Sequence, residues 1–185
     1  TVNQRLTAEG SNKDTRHFEI SLEGSGLTYE VGDSLGVFAT NDPELVELIL
    51  KNQGFSGDEP VVNPDGQTVT IRQALTKDYV ITEPAKQILQ AMPLKDESAA
   101  FLNDLLDPGQ KASLDDYLWG RDILDVLEEF PAAKFTPEEF VKVLRKLQPR
   151  LYSIASSQKA VGEAVHLTVA VVRYNSKASD RLRKG

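Results

Sequence analysis

The stretch QPRLYSIA, residues 148–155, marks the place where the chain changes from helical to extended periodicity. Before it, Thr136-Pro137-Glu138-Glu139 combines a capping box with a first-turn proline, and apolar residues then recur at helical spacing until Pro149. After it, residues 150–155 form an extended run, and residues 165–174 are rich in the β-branched side chains typical of strands. We therefore predict a helix that ends near Pro149 and two strands beyond it.

The N-terminal part of the chain also predicts strands. Phe18, Ile20 and Leu22 alternate with polar residues, which is the period of a half-buried strand. Residues 35–39 form a second short apolar run after a glycine-containing turn. The first ~40 residues are therefore expected to be β structure.

Residues 41–148 carry helix signals. Asp42-Pro43 provides a cap and a first-turn proline, and the apolar face that follows ends at Gly54. Thr70 and Gln73 have capping-box spacing, and Thr82 stands where a further helix would begin. Two more helices are predicted across residues 101–106 and 121–127.

Strands on both sides of a helical block indicate an α+β protein in which the outer segments share one sheet or barrel. We expect residues 1–40 and 149–185 to form this discontinuous β domain. Residues 41–148 would then be an inserted helical domain.

The composition excludes several classes of protein. The chain of 185 residues is 40% hydrophobic and 26% charged, which is typical of a soluble globular protein. No run approaches the ~18 apolar residues of a membrane span, and the net charge of -7 argues against nucleic-acid binding. With no cysteine, redox chemistry would need a bound cofactor, and the reducing cytoplasm is the expected location.

The C-terminal segment, residues 173–185, is basic, with five basic residues against one acidic residue. A solvated loop and a site for an anionic partner such as a phosphate are both compatible with this composition. The basic residues are Arg173, Lys177, Arg181, Arg183 and Lys184.

Three catalytic or binding patterns are weak. Residues 32–36, GDSLG, fit the G-x-S-x-G pattern of a GDSL-type serine hydrolase, but a strand-like run follows the serine where a helix is required. His17 and His166 have no third ligand nearby in the sequence, so we expect them on a sheet surface without a metal. Gly24 and Gly26 lack the third glycine of a dinucleotide fingerprint.

Residues 150–153 carry the most informative chemistry. Arg150 suits a pyrophosphate, Tyr152 offers a flat face to a planar ring, and the Ser153 hydroxyl can bind a ring nitrogen or oxygen. In a strand, Leu151 and Ser153 point away from the face of Arg150 and Tyr152, although a twist or bulge can bring Ser153 back. Ordinary exposed strand surface remains an alternative.

The segments at residues 150–157 and 165–174 closely resemble the FAD domain of NADPH-dependent diflavin reductases. Residues 29–37 and 41–43 resemble an early segment of the same domain, so the likeness covers almost the whole chain. Within that family, the chain most resembles the sulfite reductase flavoprotein (alpha) subunit.

This resemblance implies a flattened antiparallel β-barrel of the ferredoxin-reductase type with an inserted all-helical connecting domain. It also implies that the chain is C-terminally truncated, since only Gly185 remains of the turn that holds the pyrophosphate. The truncated chain would be inactive alone and would bind FAD weakly or not at all.

The resemblance also implies roles for individual residues. Arg150 would pair with the FAD pyrophosphate, Tyr152 would stack on the isoalloxazine, and Ser153 would approach its reactive edge. Tyr174 would lie near the adenosine half, and Thr82 would contact FAD from the connecting domain, although a plain helix N-cap explains Thr82 equally well. The full set of implied cofactor contacts is Arg150, Leu151, Tyr152, Ser153, Thr168, Val169, Ala170, Tyr174, Thr82 and Gly185, with Thr168, Val169 and Ala170 acting through their backbones. No catalytic residue and no metal ligand is implied.

The implied function is electron transfer from NADPH through FAD to FMN and on to a haemoprotein. FMN and NADPH would bind to other domains of the same parent chain, and neither nucleic acid nor membrane would be a partner. Two alternatives remain open at this point: a stand-alone helical interaction module without flavin, and the GDSL-type hydrolase.

Overall fold

The structure is a computed structural model that describes residues 1–94, 97–175 and 179–184. The chain divides into two compact units. Unit 1 comprises Thr1–Ala39, Gln148–Tyr174 and the described end of the chain from Arg183. Unit 2 comprises Thr40–Leu147 together with Asn175 and residues 179–182 of the C-terminal segment.

The secondary structure elements are numbered along the chain. The strands are β1 (Val2–Arg5), β2 (Asp14–Ser21), β3 (Ser34–Val37), β4 (Pro60–Val62), β5 (Thr68–Thr70), β6 (Arg150–Ser153), β7 (Ala164–Val171), β8 (Tyr174–Asn175) and β9 (Leu182–Arg183). The α-helices are α1 (Pro43–Gln53), α2 (Ile71–Lys77), α3 (Lys86–Ala91), α4 (Glu97–Leu105), α5 (Lys111–Leu118), α6 (Ile123–Glu129), α7 (Pro137–Lys142) and α8 (Gln158–Val161).

Unit 1 is built on antiparallel strands. β1, β2 and β7 form one sheet in that order, with His17 opposite Thr168 and Glu19 opposite His166. β3 and β6 form a second sheet, in which Leu35 lies opposite Tyr152. The predicted α+β class with antiparallel sheets is confirmed, but the sheets do not close into a barrel within the described residues.

The core of unit 1 is small. Leu22, Val165 and Leu167 are buried, and partly buried apolar side chains from four strands, together with Tyr29 and Ile154, surround them. Phe18 and Ile20 belong to this surrounding set, so the alternation predicted for the strand at residues 17–22 is confirmed. The surrounding residues are Phe18, Ile20, Tyr29, Leu35, Tyr152, Ile154 and Val169.

Unit 2 has a larger core, and its helices begin where local capping predicts. The Asp42 side chain accepts a hydrogen bond from Glu44 at the start of α1, and Gly54 ends this helix with φ 78°. Thr70 and Gln73 form a reciprocal capping box on α2, and Thr136 and Glu139 form another on α7. Capping satisfies backbone donors with side chains a few residues away, so it can be predicted from short sequence patterns.

Unit 2 is not all-helical, and this part of the prediction is wrong. β4 and β5 form a hairpin whose turn is held by the Asn63 side chain, which accepts hydrogen bonds from Asp65 and Gln67. Gly66 supplies the positive φ of 78° that this turn needs. The strands are only three residues long but rich in valine and threonine, which favour extended structure.

Two helix boundaries also differ from the prediction. α3 begins at Lys86 with Ala85 as its N-cap, so Thr82 is not a helix cap. Glu83 precedes a proline, which disfavours helical backbone at that position. α7 ends at Lys142, because the following segment forms backbone hydrogen bonds with residues 78–80 instead of continuing the helix.

In the described part of the chain, none of the helices has the length and apolar character needed to cross a membrane.

Candidate functional site

β6 and β7 meet at one point and then separate. Ile154 bridges Leu167, and the Ala155 N–H donates to the His166 carbonyl over 2.8 Å. The residues before Ile154 pair with β3 rather than with β7. Beyond Leu167, the edge of β7 that faces away from β2 is therefore not paired with another strand in the described residues. The backbone groups on that side of β7 are therefore the ones to consider for hydrogen bonds to a ligand.

The backbone direction of β7 can be read from the His166 carbonyl, which faces β6. In an antiparallel strand, the N–H and C=O of one residue point to the same side and alternate residues share that side. Thr168 and Ala170 therefore direct their backbone groups toward the diverging β6, whereas those of Val169 face β2. Of the three β7 residues predicted as cofactor contacts, two thus offer backbone groups at the divergence and Val169 does not.

Arg150 is the exposed first residue of β6. Among the described residues, its guanidinium has no hydrogen bond and no carboxylate within ion-pair distance. Arg5, Arg16 and Arg173 of the same unit differ, because all three pair with Asp14. Arg150 is therefore a permanent cation available to an external anion such as a phosphate.

Tyr152 is half-buried and packs against the small core of unit 1. Because side chains alternate along a strand, Tyr152 lies on the same face of β6 as Arg150. Val169 of β7 packs against the same core. A cation and an aromatic ring, both carried by β6, thus lie on one side of this strand.

Leu151 and Ser153 lie on the other face of β6. Leu151 is 73% exposed, and Ser153 is also exposed. Each residue of β6 pairs with one residue of β3, from Val37 to Ser34, so β6 carries no bulge. The regular register keeps the Ser153 hydroxyl away from the Arg150 face, and the bulge considered in the sequence analysis is not present.

The remaining predicted contacts lie elsewhere. Tyr174 is 44% exposed in β8. Thr82 is half-buried and belongs to unit 2, in the segment between α2 and α3. Gly185 lies outside the described residues.

The GDSL-type hydrolase is excluded by local geometry. Ser34 is the first residue of β3 and pairs with Ser153, whereas a nucleophile elbow needs a helix directly after the serine. The Asp33 carboxylate accepts the Glu30 N–H at 2.8 Å and so closes a turn. This segment is therefore the turn that leads into strand β3.

The basic C-terminal segment has internal partners that the sequence did not reveal. Arg173 lies 3.4 Å from Asp14, and Arg181 lies 3.0 Å from Asp122 and also pairs with Asp125. Both arginines are therefore engaged in ion pairs within the chain, although the Arg173 side chain is still 54% exposed. Lys177 lies outside the described residues.

Tyr29 is a further residue that sequence reasoning missed. Its hydroxyl lies 2.7 Å from the Ser156 Oγ and donates to the Ala164 carbonyl at 2.8 Å. An adjacent cleft of about 360 Å³ is lined by residues 27–29 and 33–36 together with Leu22, Ile154 and Val165. None of the predicted cofactor contacts lines this cleft as far as the structure describes the chain, so we do not place the ligand there.

Comparison with known proteins decides the family. Residues 1–185, the whole chain, match the family model described as FAD binding domain. The chain belongs to this FAD-binding family. Its cofactor is therefore FAD, and the predicted resemblance is confirmed.

Similar proteins include three bacterial proteins named sulfite reductase [NADPH] flavoprotein alpha-component. The one from Bacillus subtilis (strain 168) is 48% identical over 185 residues, which cover 99% of this chain and 30% of that protein. Those from Aliivibrio fischeri and Photobacterium profundum are 45% and 42% identical, and the matches cover 94% and 97% of this chain and 28% and 29% of those proteins. The chain thus spans about 30% of the length of the curated relatives it matches.

The residues of unit 1 fit FAD. Arg150, which has no carboxylate partner in the part of the chain that the structure describes, is a cation of the kind that suits a pyrophosphate, and Tyr152 offers an aromatic ring on the same face of β6. Ala170 presents backbone groups where β6 and β7 diverge, and such groups match the alternating donors and acceptors of the flavin pyrimidine ring. The observed position of Leu151 gives its side chain no part in this arrangement.

Proposed function

We propose that this chain is the FAD-binding portion of an NADPH-dependent sulfite reductase flavoprotein, an oxidoreductase that passes electrons from NADPH through FAD to FMN and on to a haemoprotein. The similarity to proteins named sulfite reductase [NADPH] flavoprotein alpha-component over nearly the whole chain supports this proposal. The cytoplasmic location expected from the sequence is part of the proposal, as is the expectation that this chain is inactive without its parent protein.

We further propose the domain roles. Unit 1 would form part of a flattened antiparallel FAD barrel, and unit 2 would be the connecting domain. The division of the chain near Thr40 and Leu147 supports this assignment. The FMN-binding and NADPH-binding domains would be contributed by other parts of the parent chain.

FAD, when bound, would supply the conversion between a two-electron donor and single-electron transfers. This chain's own residues would bind and orient it. Arg150 would hold the pyrophosphate by charge-assisted hydrogen bonds, and Tyr152 would fix the plane of the isoalloxazine by packing on it. Ala170 would fix the rotation of the ring within that plane through its backbone, as would the Thr168 carbonyl.

The single observation that carries the proposal is the exposed Arg150, which lies on the same strand face as Tyr152 and has no carboxylate partner among the described residues. It predicts selectivity for a dinucleotide flavin, because FMN lacks the pyrophosphate and NADPH lacks the flavin. Calorimetric titration of the 185-residue chain with FAD, FMN and NADPH tests this. We expect FAD to bind at least about tenfold more tightly than FMN, corresponding to about 1.4 kcal/mol.

Equal affinity for FAD and FMN would contradict the assigned role of Arg150. Tighter binding of NADPH than of FAD would contradict the assignment of this chain to the flavin step. The FAD binding by this chain alone, implied by the resemblance to be weak, should still be measurable at millimolar concentration. A chain that binds none of the three ligands at that concentration would therefore favour the alternative of a helical interaction module without flavin.

A further inference from the structure

Three side chains of the type that bind metals meet on the face of the β1-β2-β7 sheet opposite to the core. His17 and Glu19 are two residues apart on β2 and therefore share this face, and β7 brings His166 directly opposite Glu19. His17 Nε2 lies 3.3 Å from Glu19 Oε1, and the two imidazole rings are perpendicular with centroids 5.0 Å apart. One ligand atom from each of the three residues lies within 4.8 Å of the others.

We propose that His17, Glu19 and His166 form a binding site for a divalent transition-metal ion, for which Zn²⁺ is the best-suited candidate. Two imidazoles and one carboxylate are a donor set that Zn²⁺ accepts at about 2.0–2.2 Å. Ligand atoms around a tetrahedral ion are then about 3.3 Å apart, which is the separation already present between His17 and Glu19. The His166 ligand atom lies within 4.8 Å of the other two, so it must move closer to share the same ion.

The environment of this cluster suits an ion with open coordination positions. The His17 and Glu19 side chains are 24% and 41% exposed, so an ion can enter from solvent and keep a water ligand. Gln4 of β1 lies opposite His17 on the same face, where its amide oxygen can supply a fourth donor. With Zn²⁺ bound, one carboxylate and two neutral imidazoles give the site a net charge of +1. A charge of this size is modest for a surface position.

The site is separate from the proposed FAD contacts of β6. Arg150 and Tyr152 lie on strand β6, which has no residue in the metal cluster. A bound ion would cross-link β2 to β7, which the chain otherwise joins only through backbone pairing and packing at this position. Its consequence would be increased thermal stability of the protein in the presence of the metal.

Titration of the 185-residue chain with Zn²⁺ by calorimetry, and with Co²⁺ by visible absorption, tests the proposal. These are the only two histidines of the chain, and it has no cysteine, so no other imidazole or thiolate competes. We expect one Zn²⁺ per chain with micromolar affinity and a Co²⁺ absorption band that Zn²⁺ displaces. Glu19→Gln and His166→Gln should each weaken Zn²⁺ binding by at least about tenfold.

Glu163→Gln is the matched control, because Glu163 is an exposed carboxylate just before β7 and outside the cluster. It should bind Zn²⁺ as the unaltered chain does. The conservative Glu19→Gln change keeps the side-chain size, and circular dichroism of each variant reports whether the sheet is retained. No Zn²⁺ binding by the unaltered chain, or equal binding by folded Glu19→Gln and His166→Gln variants, would overturn the proposal.

Discussion

The Ala155 N–H donates to the His166 carbonyl over 2.8 Å, and this hydrogen bond lies at the point where β6 and β7 separate. It holds the two strands together beside the Ile154–Leu167 bridge. On the other side of that bridge, β6 pairs with β3, and Ala170, which pairs with Thr15 of β2, has no strand on its other side in the described residues. The proposed flavin-binding arrangement therefore depends on β6, which changes its pairing partner from β7 to β3.

Tyr152 is predicted to quench the fluorescence of bound FAD, since an aromatic ring in van der Waals contact with a flavin provides a non-radiative decay route. Replacing Tyr152 by Ala should raise the emission of bound FAD severalfold at saturating chain concentration. Tyr152→Phe is the control that keeps an aromatic ring at this position. Emission that is the same for Tyr152→Ala and the unaltered chain would contradict the stacking role.

Arg181 is predicted to contribute strongly to the stability of unit 2. The carboxylates of Asp122 and Asp125 are almost fully buried, with side-chain exposures of 1% and 3%, and both pair with Arg181. Arg181→Met removes a cation that pairs with both buried carboxylates, so it should lower the free energy of unfolding by about 3 kcal/mol.

Arg145→Met is the matched control for this measurement, because Arg145 pairs with Glu83 at a site where both side chains are about half or more exposed. The Arg145→Met change should lower the free energy of unfolding by at most about 1 kcal/mol. Urea denaturation of both variants measures the difference. Equal losses would show that the Arg181 pair acts as an ordinary surface ion pair.

Asp14 is predicted to make the stability of unit 1 depend on pH in the acid range. A side-chain hydrogen bond from Arg16 lowers the pKa of the Asp14 carboxyl below its ordinary value of 3.8, with further lowering by the charges of Arg16, Arg5 and Arg173. The contribution is therefore present above the unfolded pKa and is lost as the pH falls through the lowered folded pKa. Urea midpoints measured from pH 5 downward should fall more steeply for the unaltered chain than for Asp14→Asn. Parallel curves would contradict this role of Asp14.

Features that depend on neighbouring residues in the sequence could be predicted. The strand around Phe18 and Ile20 follows from alternation, and the helix starts after Asp42, Thr70 and Thr136 follow from caps that act over three or four residues. That Arg150 and Tyr152 lie on one strand could also be predicted, because the strand is a short local segment, whereas their roles toward FAD stay predictions. The hairpin of β4 and β5 was not predicted, because its strands are too short to show a clear alternation of polar and apolar residues.

Features that depend on register or on distant partners could not be predicted. Glu19 joins His17 and His166 only because β2 and β7 pair in one particular register. Arg181 and Asp122 are 59 residues apart, and no local pattern connects them. The regular β3–β6 pairing that keeps Ser153 on the Leu151 face is likewise a property of the folded sheet.

The measurement that tests the central claim most directly is calorimetric titration of FAD into the unaltered chain, Arg150→Ala and Lys159→Ala. Lys159 is an exposed cation of α8 in the same unit and serves as the charge-matched control. Loss of a charge-assisted pyrophosphate contact costs about 1.5–3 kcal/mol, so Arg150→Ala should weaken FAD binding by about 10- to 150-fold while Lys159→Ala changes it less than about twofold. Saturable FAD binding with this ordering is the predicted result. Absence of FAD binding by the unaltered chain at millimolar concentration, or equal binding by Arg150→Ala, would contradict the account.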